Sequence, residues 1–381
     1  MSFCVAFTGG GTGGHIYPGL AVADELTSIC KENNIFDCRI VWIGSSKGMD
    51  RNIVESSSIV NNFYGIPSGK LRRYFSFQNF IDFFKIIAGF LCAFFILLKI
   101  KPVALFSKGG FVSVPPCVAA RLLGIPVYTH ECDFSPGLAT KLNSHFASRI
   151  LVSYQETSKY FATEKQKLIT VTGNPVRPVF YSPQPEIGRK FLGLEAELSS
   201  TDSKPVLLVI GGSLGARQIN QLVFDNLEFL CKHFIVVHQT GKNNQVADDF
   251  SAKVEGIYKS YPFIYEQMPH VMACSDVILS RAGANSIWEC AVLGKPMILI
   301  PLCGSGTRGD QLENAQFFKD KGAALVLEKE EADSEHLIMS LQQMLDKDKR
   351  KVFAKCASEL SSEVFAAKNI AELIFMETLK K

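Results

Sequence analysis

Three segments of the sequence place glycine and small polar residues directly after an apolar run. They are segments 9–15 (GGGTGGH), 211–217 (GGSLGAR) and 280–289 (SRAGANSIWE). Glycine allows the backbone to approach a ligand closely, and free N–H groups at the start of a following helix favour negative charge. One such turn is equally typical of tight packing, but the repetition favours a site for a phosphate or a sugar.

Two common nucleotide chemistries are disfavoured by the residues that surround these turns. A dinucleotide enzyme carries an acid near the end of the next strand, whereas this chain has Gly44-Ser45-Ser46 and Gln239-Thr240 there. The P-loop pattern G-x-x-x-x-G-K-[ST] is also absent.

Glu289 lies in the opening turns of the helix predicted after the third segment. Its carboxylate could accept from both hydroxyls of a ribose, or merely complement the helix dipole.

The elements that must position these turns alternate between strands and helices, which is typical of parallel α/β sheets. Strands are predicted near 3–8, 39–43, 103–106, 127–130, 150–152 and 169–171, and again near 206–210, 234–238, 277–279, 297–300 and 324–327. A helix is expected to begin at about Pro18, because proline suits a first helical turn. The two prolines in 173–178 indicate a linker between the sets. We therefore expect Rossmann-like domains at 1–174 and 175–361, with a closing helix at 362–381 that packs back on the first.

Composition narrows the class of protein further. Lys plus Arg number 40 against 37 for Asp plus Glu, so the basic excess of a nucleic-acid-binding protein is missing. The 11 cysteines form no C-x-x-C pair, which favours free thiols in a reducing compartment. The first residues are predicted to form a strand rather than a signal peptide, so export is not expected.

One apolar stretch, 86–98, departs from the pattern of a soluble chain. Because Lys85 and Lys99 bound it, it is predicted to be too short to span a membrane and to form a buried or interfacial helix. Lys70, Arg72 and Arg73 precede it, and positive charge beside aromatic bulk is typical of an interfacial segment.

Four ordered motifs together resemble the MurG family: GGTGGH at 10–15, GNPVR at 173–177, GGSLGAR at 211–217 and SRAGA at 280–284 with Glu289. The resemblance covers nearly the whole chain. It implies a GT-B fold, with two Rossmann-like parallel-sheet domains facing a cleft. It also implies inverting transfer of N-acetylglucosamine from UDP-GlcNAc to the C4 hydroxyl of MurNAc in lipid I, forming lipid II for peptidoglycan.

The resemblance also implies individual roles. The residues that it places on UDP-GlcNAc are Thr12, Gly13 and Gly14 at the donor sugar, Arg177 and Ser213 at the diphosphate, Ile264 at the uracil, Ala284, Asn285 and Ser286 around the nucleotide, Glu289 at the ribose and Gln311 at the sugar hydroxyls. The segment His130-Glu131-Cys132-Asp133 departs from the usual His-Glu-Gln-Asn of the family. Asp133 therefore replaces an amide that contacts the donor, and a carboxylate cannot donate a hydrogen bond.

Transfer to a hydroxyl needs a base, and His15 is the candidate because a helix N-terminus favours its neutral ring. Glu131 is the rival base or an orienting partner, and a capping or packing role for His15 is the alternative. Direct attack would invert the anomeric centre. No cofactor or metal is expected, since the Asp346-Lys347-Asp348 triplet lies in a charged helical stretch typical of a solvated face.

The predicted membrane-facing residues are Arg72, Arg73, Phe83, Phe84 and Ile87. They predict a peripheral membrane protein. The resemblance implies the cytoplasmic face of the inner membrane as its location, and UDP-GlcNAc, undecaprenyl-linked lipid I and that membrane as its partners. Other cell-wall synthesis proteins are further candidates, and no nucleic acid is expected. Three alternatives remain open: a GT-B transferase with another lipid acceptor, a UDP-sugar epimerase, and a non-catalytic nucleotide-sugar-binding protein.

Overall fold

The structure is a computed structural model that describes residues 3–69, 77–197, 203–212, 215–241, 255–304, 307–361 and 365–379. The predicted site residues Ser213, Arg72 and Arg73 lie outside these ranges. The chain forms two compact units, here called unit 1 (Met1–Arg177 with Val364–Lys381) and unit 2 (Pro178–Glu363).

Unit 1 is built on a parallel sheet of seven strands within the described residues. They are β1 (Phe3–Thr8), β2 (Cys38–Ser45), β3 (Asn62–Ile66), β4 (Ala104–Ser107), β5 (Val127–Glu131), β6 (Arg149–Val152) and β7 (Ile169–Val171). The order β3-β2-β1-β4-β5-β6-β7 reverses direction between β1 and β4. Ligands of open α/β sheets bind outside the carboxyl ends of the strands at such a reversal, so the segments after β1 and β4 are the first place to look for a site.

Six helices of unit 1 connect these strands: α1 (Gly13–Glu32), α2 (Asp50–Glu55), α3 (Phe77–Ile100), α4 (Val114–Leu122), α5 (Leu138–Asn143) and α6 (Thr163–Gln166). The prediction that the first helix begins at about Pro18 is wrong, because α1 begins at Gly13 and encloses Pro18. Proline inside a helix removes one backbone hydrogen bond. The extended Thr12 ends the glycine turn and forces the helix to begin immediately after it.

The apolar helix α3 is longer than the sequence suggested. It has 24 residues, and its part Phe80–Ile100 is long and apolar enough to cross a membrane by length and composition, so the prediction that it is too short to span is wrong. Lys85 does not end the helix, because the Asp82 carboxylate pairs with its ammonium at 2.9 Å. However, Ala93 and Leu97 are buried against the core of unit 1, and a spanning segment would have to give up that packing.

Unit 2 contains six parallel strands within its described residues, in the order β10-β9-β8-β11-β12-β13. They are β8 (Val206–Ile210), β9 (Ile235–Gln239), β10 (Tyr258–Tyr261), β11 (Val277–Ser280), β12 (Met297–Leu299) and β13 (Ala324–Val326). Its helices are α7 (Pro185–Leu192), α8 (Arg217–Asp225), α9 (Leu227–His233), α10 (Met268–Cys274), α11 (Ala284–Val292), α12 (Asp310–Asp320), α13 (Ser334–Leu345) and α14 (Lys347–Glu359). The strand order reverses between β8 and β11, directly before the second and third glycine segments.

The last helix, α15 (Ala366–Leu379), belongs to unit 1. Its apolar face, including Ile370, Ile374 and Phe375, joins the core that β1 and α1 form. The Glu377 carboxylate also accepts from the Tyr128 hydroxyl at 2.9 Å and from Arg149 Nε at 2.8 Å. The first and last parts of the chain therefore share one hydrophobic core.

Candidate active site

Two glycine turns of unit 1 meet where the strand order reverses. Gly9–Gly11 follow β1, and Gly109–Gly110 follow β4. A Cβ added at Gly110 would lie 2.5 Å from the Gly10 carbonyl oxygen and 3.4 Å from His15 Nδ1, and φ at Gly110 is +78°. Only glycine allows the two backbones to approach this closely.

Asp50, at the start of α2, holds the first glycine turn in place. Its carboxylate accepts from the Gly11 N–H and from the Ser45 N–H, each at 2.9 Å. The side chain is 1% exposed and occupies the space that a side chain at Gly10 would need. The sequence offered no signal for this role, because Asp50 stands 39 residues from its partner Gly11 and belongs to no motif.

His15 stands in the first turn of α1, beside both glycine turns. Its Nδ1 lies 2.9 Å from the Thr12 hydroxyl, either of which can donate. If Nδ1 carries the proton and donates to Thr12, the lone pair is left on Nε2, which is the tautomer that a base needs. Gly13 and Gly14 are the first two residues of the same helix, so the structure brings together the four predicted residues 12–15.

The segment that ends β5 contributes a second group of polar residues. The Glu131 carboxylate accepts from the backbone N–H groups of Cys132 at 3.0 Å, Asp133 at 3.1 Å and Gly137 at 2.9 Å. Both of its oxygens are therefore used to fold the loop, an arrangement that suits an orienting role better than proton transfer. His130 Nε2 lies 2.9 Å from the Gly173 carbonyl, so Nε2 carries the proton. Burial, helped by the Lys108 charge, holds the pKa of His130 well below its usual value.

Among the described residues, Glu131, Cys132 and Asp133 bring three potential metal ligand atoms within 4.8 Å of one another. The chemistry of this set is poor for a metal, because the glutamate oxygens already accept three N–H groups. In addition, burial raises the pKa of the Cys132 thiol to about 12, and a metal requires the thiolate.

Lys108 follows β4 and is the most unusual charge in unit 1. The side chain is 2% exposed, and its ammonium makes no hydrogen bond to an oxygen or nitrogen atom of the described residues. The Cys132 thiol lies beside the ammonium as its hydrogen-bonding neighbour, but a thiol is a weak acceptor and no countercharge. An ammonium without a countercharge in the protein interior destabilises the folded state.

Replacing Lys108 with methionine is therefore expected to stabilise unit 1 by about 1–3 kcal/mol, because the apolar stem is retained and the desolvated charge is removed. Urea unfolding followed by the fluorescence of Trp42 in a Trp288→Phe background would measure the change. The exposed Lys141→Met, also in unit 1, is the matched control and should have little effect. A loss of stability in Lys108→Met would show that the ammonium has a partner in solution.

Arg177 ends unit 1, and its guanidinium lies 5.4 Å from the centre of the Tyr17 ring. Such a contact contributes about 0.5–1 kcal/mol at a partly exposed site. Tyr17 in turn lies against Gly13, where an added Cβ would come within 3.1 Å of its ring. The tyrosine therefore places the arginine beside the residues at the start of α1.

Unit 2 presents a more open site at the reversal of its own sheet. An added Cβ at Gly212, after β8, or at Gly283, after β11, would meet no atom of the described residues within 4 Å. Helix α11 begins with Ala284, and its N-terminal cap residue, Gly283, has no side chain with which to cap the first N–H groups. The N–H groups at this helix start are therefore suited to an anion.

The predicted polar residues of α11 share one stripe of the helix. Asn285, Ser286 and Glu289 are each half-buried, whereas Ile287 and Trp288 between them are buried. Residues three and four apart are neighbours on a helix surface. The structure thus places Glu289 on the same face of α11 as Asn285 and Ser286. The open turn at Gly283 directly precedes this helix.

Helix α12 is tied to the same region by side-chain amides. Gln311 Oε1 accepts from the Leu302 N–H at 3.0 Å, a bond that does not use its amide nitrogen. Asn314, fully buried, donates to the Ala282 carbonyl at 3.2 Å. Arg281 Nη1 also donates to the Ile300 carbonyl at 3.0 Å. The loop before α11 and the loop before α12 are therefore fixed to each other.

Ile264 is placed by a contact that the sequence did not reveal. Its N–H donates to Gln239 Oε1 at 2.9 Å, so this N–H is already used within unit 2.

The Asp346-Lys347-Asp348 triplet has a local role. Asp346 caps α14 by accepting from the N–H groups of Asp348 and Lys349, and Asp348 pairs with Lys351 at 2.8 Å.

Two parallel α/β units, each with glycine turns where its sheet reverses and one with a carboxylate on an open helix start, define a GT-B glycosyltransferase. The family models for the N-terminal and C-terminal domains of glycosyltransferase family 28 match residues 5–152 and 206–374. The chain belongs to the MurG family, so the predicted resemblance and the predicted fold class are confirmed.

Individual relatives agree with this assignment. This chain is 58% identical to the UDP-N-acetylglucosamine--N-acetylmuramyl-(pentapeptide) pyrophosphoryl-undecaprenol N-acetylglucosamine transferase of Treponema denticola. The match extends over 341 residues, which cover 85% of this chain and 83% of that protein. The crystal structure of Acinetobacter baumannii MurG superimposes with a TM-score of 0.73 at 25% identity, covering 98% of this chain and 99% of that one. The UDP-GlcNAc 2-epimerase of Neisseria meningitidis, bound to UDP-GlcNAc, reaches a TM-score of 0.66 over all of both chains, but at 16% identity it shares the fold alone.

Proposed function

We propose that this chain transfers N-acetylglucosamine from UDP-GlcNAc to the C4 hydroxyl of MurNAc in undecaprenyl-linked lipid I, forming lipid II. The observation that carries the proposal is the 58% identity, over 85% of the chain, to a transferase whose name states this donor and this acceptor. The epimerase alternative has only a shared fold in its favour, and another lipid acceptor has no observation in its favour.

Unit 2 is proposed to bind the donor nucleotide. The half-buried Glu289 would accept from the two ribose hydroxyls, with Ala284, Asn285 and Ser286 beside it at the start of α11. Gln311 would use its amide nitrogen on the sugar, and Ser213 would meet the diphosphate. What supports this assignment is the open space at Gly212 and Gly283, which leaves room for a ligand at the end of the sheet.

Unit 1 is proposed to bind the acceptor and supply the base. His15 Nε2 would take the proton of the acceptor hydroxyl, whose oxygen attacks the anomeric carbon from the side opposite to UDP. The bond from that carbon to the diphosphate oxygen then breaks, and UDP leaves with the electron pair. The 2.9 Å contact between Thr12 and Nδ1 is compatible with the required tautomer, in which Nδ1 donates to the Thr12 hydroxyl.

Several residues would stabilise this step without taking the proton. Arg177 is proposed to offset the charge of the departing diphosphate, since a guanidinium fork suits phosphate. Thr12, Gly13 and Gly14 would contact the donor sugar, and Asp133 would accept from one of its hydroxyls. Glu131 is proposed to orient the Asp133 loop rather than act as the base, because its oxygens accept three backbone N–H groups.

Helix α3 is proposed as the contact with the cytoplasmic face of the membrane, where Arg72 and Arg73 would meet anionic headgroups. Its outer face exposes large apolar side chains, including Phe80 (61%), Phe84 (55%) and Phe95 (64%), and Phe83 and Ile87 lie on it too. Exposed apolar surface of this extent marks an interaction site. Since lipid I is held in a membrane, this surface would bring the enzyme to its acceptor.

The decisive experiment is transfer of labelled N-acetylglucosamine from UDP-GlcNAc to a short-chain lipid I analogue in detergent. Label in the disaccharide lipid supports the proposal. Label found in UDP-N-acetylmannosamine, or in free N-acetylmannosamine after hydrolysis, would instead support an epimerase, and transfer only to a different lipid would replace the acceptor.

Replacing Glu289 with alanine is expected to weaken UDP binding about 10–100-fold, because a hydrogen bond to a charged acceptor contributes about 1.5–3 kcal/mol. Titration calorimetry with UDP and with 2′-deoxy-UDP measures the effect. The substitution should weaken UDP far more than 2′-deoxy-UDP, which lacks one of the hydroxyls. The exposed Glu335→Ala on α13 is the control, and equal loss for both nucleotides would show that Glu289 does not accept from the 2′-hydroxyl.

A further inference from the structure

Gln239 is a buried amide that the proposed reaction does not yet use. It is the last residue of β9, where it pairs in register with Ile210 of β8 on one side and Tyr261 of β10 on the other. Its side chain is 2% exposed. It therefore stands between the glycine turn that follows β8 and the loop that follows β10.

The Gln239 amide bonds to both of these segments at once. Its Oε1 accepts from the Ile264 N–H at 2.9 Å, and its Nε2 donates to the Gly212 carbonyl at 3.4 Å. Carbonyl and amino group are both needed, because one partner is a donor and the other an acceptor. Glutamate has the same shape but cannot donate, and leucine can do neither.

The backbone around Gln239 is itself held, so the amide is a fixed bridge. The Thr240 N–H donates to the Tyr261 carbonyl at 2.9 Å, and the Gly241 N–H donates to the Pro262 carbonyl at 3.1 Å. From the other side, Asn220 of α8 donates to the Thr240 carbonyl at 2.9 Å. Hydrogen bonds therefore set the spacing between the turn after β8 and the loop after β10, and Gln239 makes the bonds that join the two.

We propose that Gln239 is a positioning residue that fixes the distance between the segment receiving the uracil and the turn receiving the diphosphate. This inference rests on the proposed function of unit 2. A nucleoside diphosphate engages both segments with one covalently linked molecule of limited reach, so its affinity depends on their spacing, whereas a nucleoside alone engages only one. Because the Ile264 N–H is already donated to Gln239, the uracil contact falls to other groups of the 263–265 segment.

The test compares UDP with uridine on Gln239→Leu, Gln239→Glu and the exposed control Gln343→Leu of α13. In Gln239→Leu we expect the affinity for UDP to fall about tenfold and that for uridine to change less than about twofold. Gln239→Glu keeps the acceptor for Ile264 but turns a carboxylate oxygen towards the Gly212 carbonyl and the diphosphate turn, so its loss of UDP affinity should be at least as large as that of Gln239→Leu. In transfer assays, KM for UDP-GlcNAc should rise about tenfold while kcat stays within about twofold.

Two outcomes would overturn the inference: unchanged UDP affinity in both variants, or the same loss for UDP and for uridine. A merely structural role would lower Tm without separating the two ligands. If the variants fail to fold, amide hydrogen exchange of the unaltered protein provides the test. The bond to Gln239 requires that the Ile264 N–H exchange slowly in the absence of nucleotide. Absence of UDP binding by the unaltered protein would instead contradict the proposed donor site, independently of Gln239.

Discussion

Replacing His15 with alanine is expected to lower kcat for transfer to the lipid I analogue by about 10²–10⁴-fold, the usual contribution of a general base. The Nε2 lone pair would be lost, while the glycine turns and the Asp50 contacts beneath them would remain. Initial rates with labelled UDP-GlcNAc, at saturating donor and acceptor, measure the change. The affinity for UDP should stay within about twofold, because the nucleotide is proposed to bind unit 2.

The matched control for this prediction is His145→Ala, an exposed histidine of the same unit. It should transfer at the normal rate. If His15→Ala retained more than about a tenth of kcat, the histidine would be a packing residue of the turn. The base would then have to be sought elsewhere, with Glu131 the first to examine despite its bonds to the loop.

Replacing Gly110 with alanine is expected to destabilise unit 1 by about 3–4 kcal/mol. Two effects add at this position: a φ of +78° that L side chains rarely adopt, and a Cβ only 2.5 Å from the Gly10 carbonyl oxygen. Because backbone stands on both sides of the contact, the clash is relieved only by moving the turns apart. Urea unfolding followed by Trp42 fluorescence in a Trp288→Phe background measures the loss.

Gly124→Ala separates the two effects. Gly124 has nearly the same φ, +73°, but an added Cβ there would meet no atom within 4 Å. It should therefore show only the conformational term, about 1 kcal/mol. Equal losses at the two glycines would mean that the turns can part freely and that their close approach is not a requirement of the fold.

The central strands of both sheets could be predicted because they are buried on both faces. β1 and β8 are continuous apolar runs whose bounds the sequence indicates to the residue. The strands β3 and β10 are not among the predicted strands, although the other two edge strands, β7 and β13, are. The sequences of β3 and β10, NFYGI and YKSY, mix polar and apolar residues, whereas β7 and β13 are mainly β-branched or apolar.

The site could be predicted where it lies in a contiguous motif, and not where it depends on contacts between distant residues. Residues 12–15 are found from a contiguous glycine motif together with the family resemblance that the four ordered motifs carry. Asp50, Lys108 and Gln239 acquire their roles only when other strands bring Gly11, Cys132 and Gly212 beside them, and none of the three has a distinctive sequence neighbourhood. Helix α1 begins at Gly13, five residues before the predicted start at about Pro18. Tertiary packing here outweighs the low helix propensity of Pro18, and the sequence alone does not reveal that packing.

The return of α15 to unit 1 governs the order in which the protein can fold during synthesis. Unit 2 is contiguous, from 178 to 363, and all of its strands have left the ribosome before α15 is made. Unit 1 is begun first but lacks Ile370, Ile374 and Phe375 in its core until α15 has been synthesised, after the whole of unit 2. At about 5–20 residues per second, the nascent first unit exposes the apolar surface of β1 and α1 for many seconds, so it is this half that would need protection by chaperones.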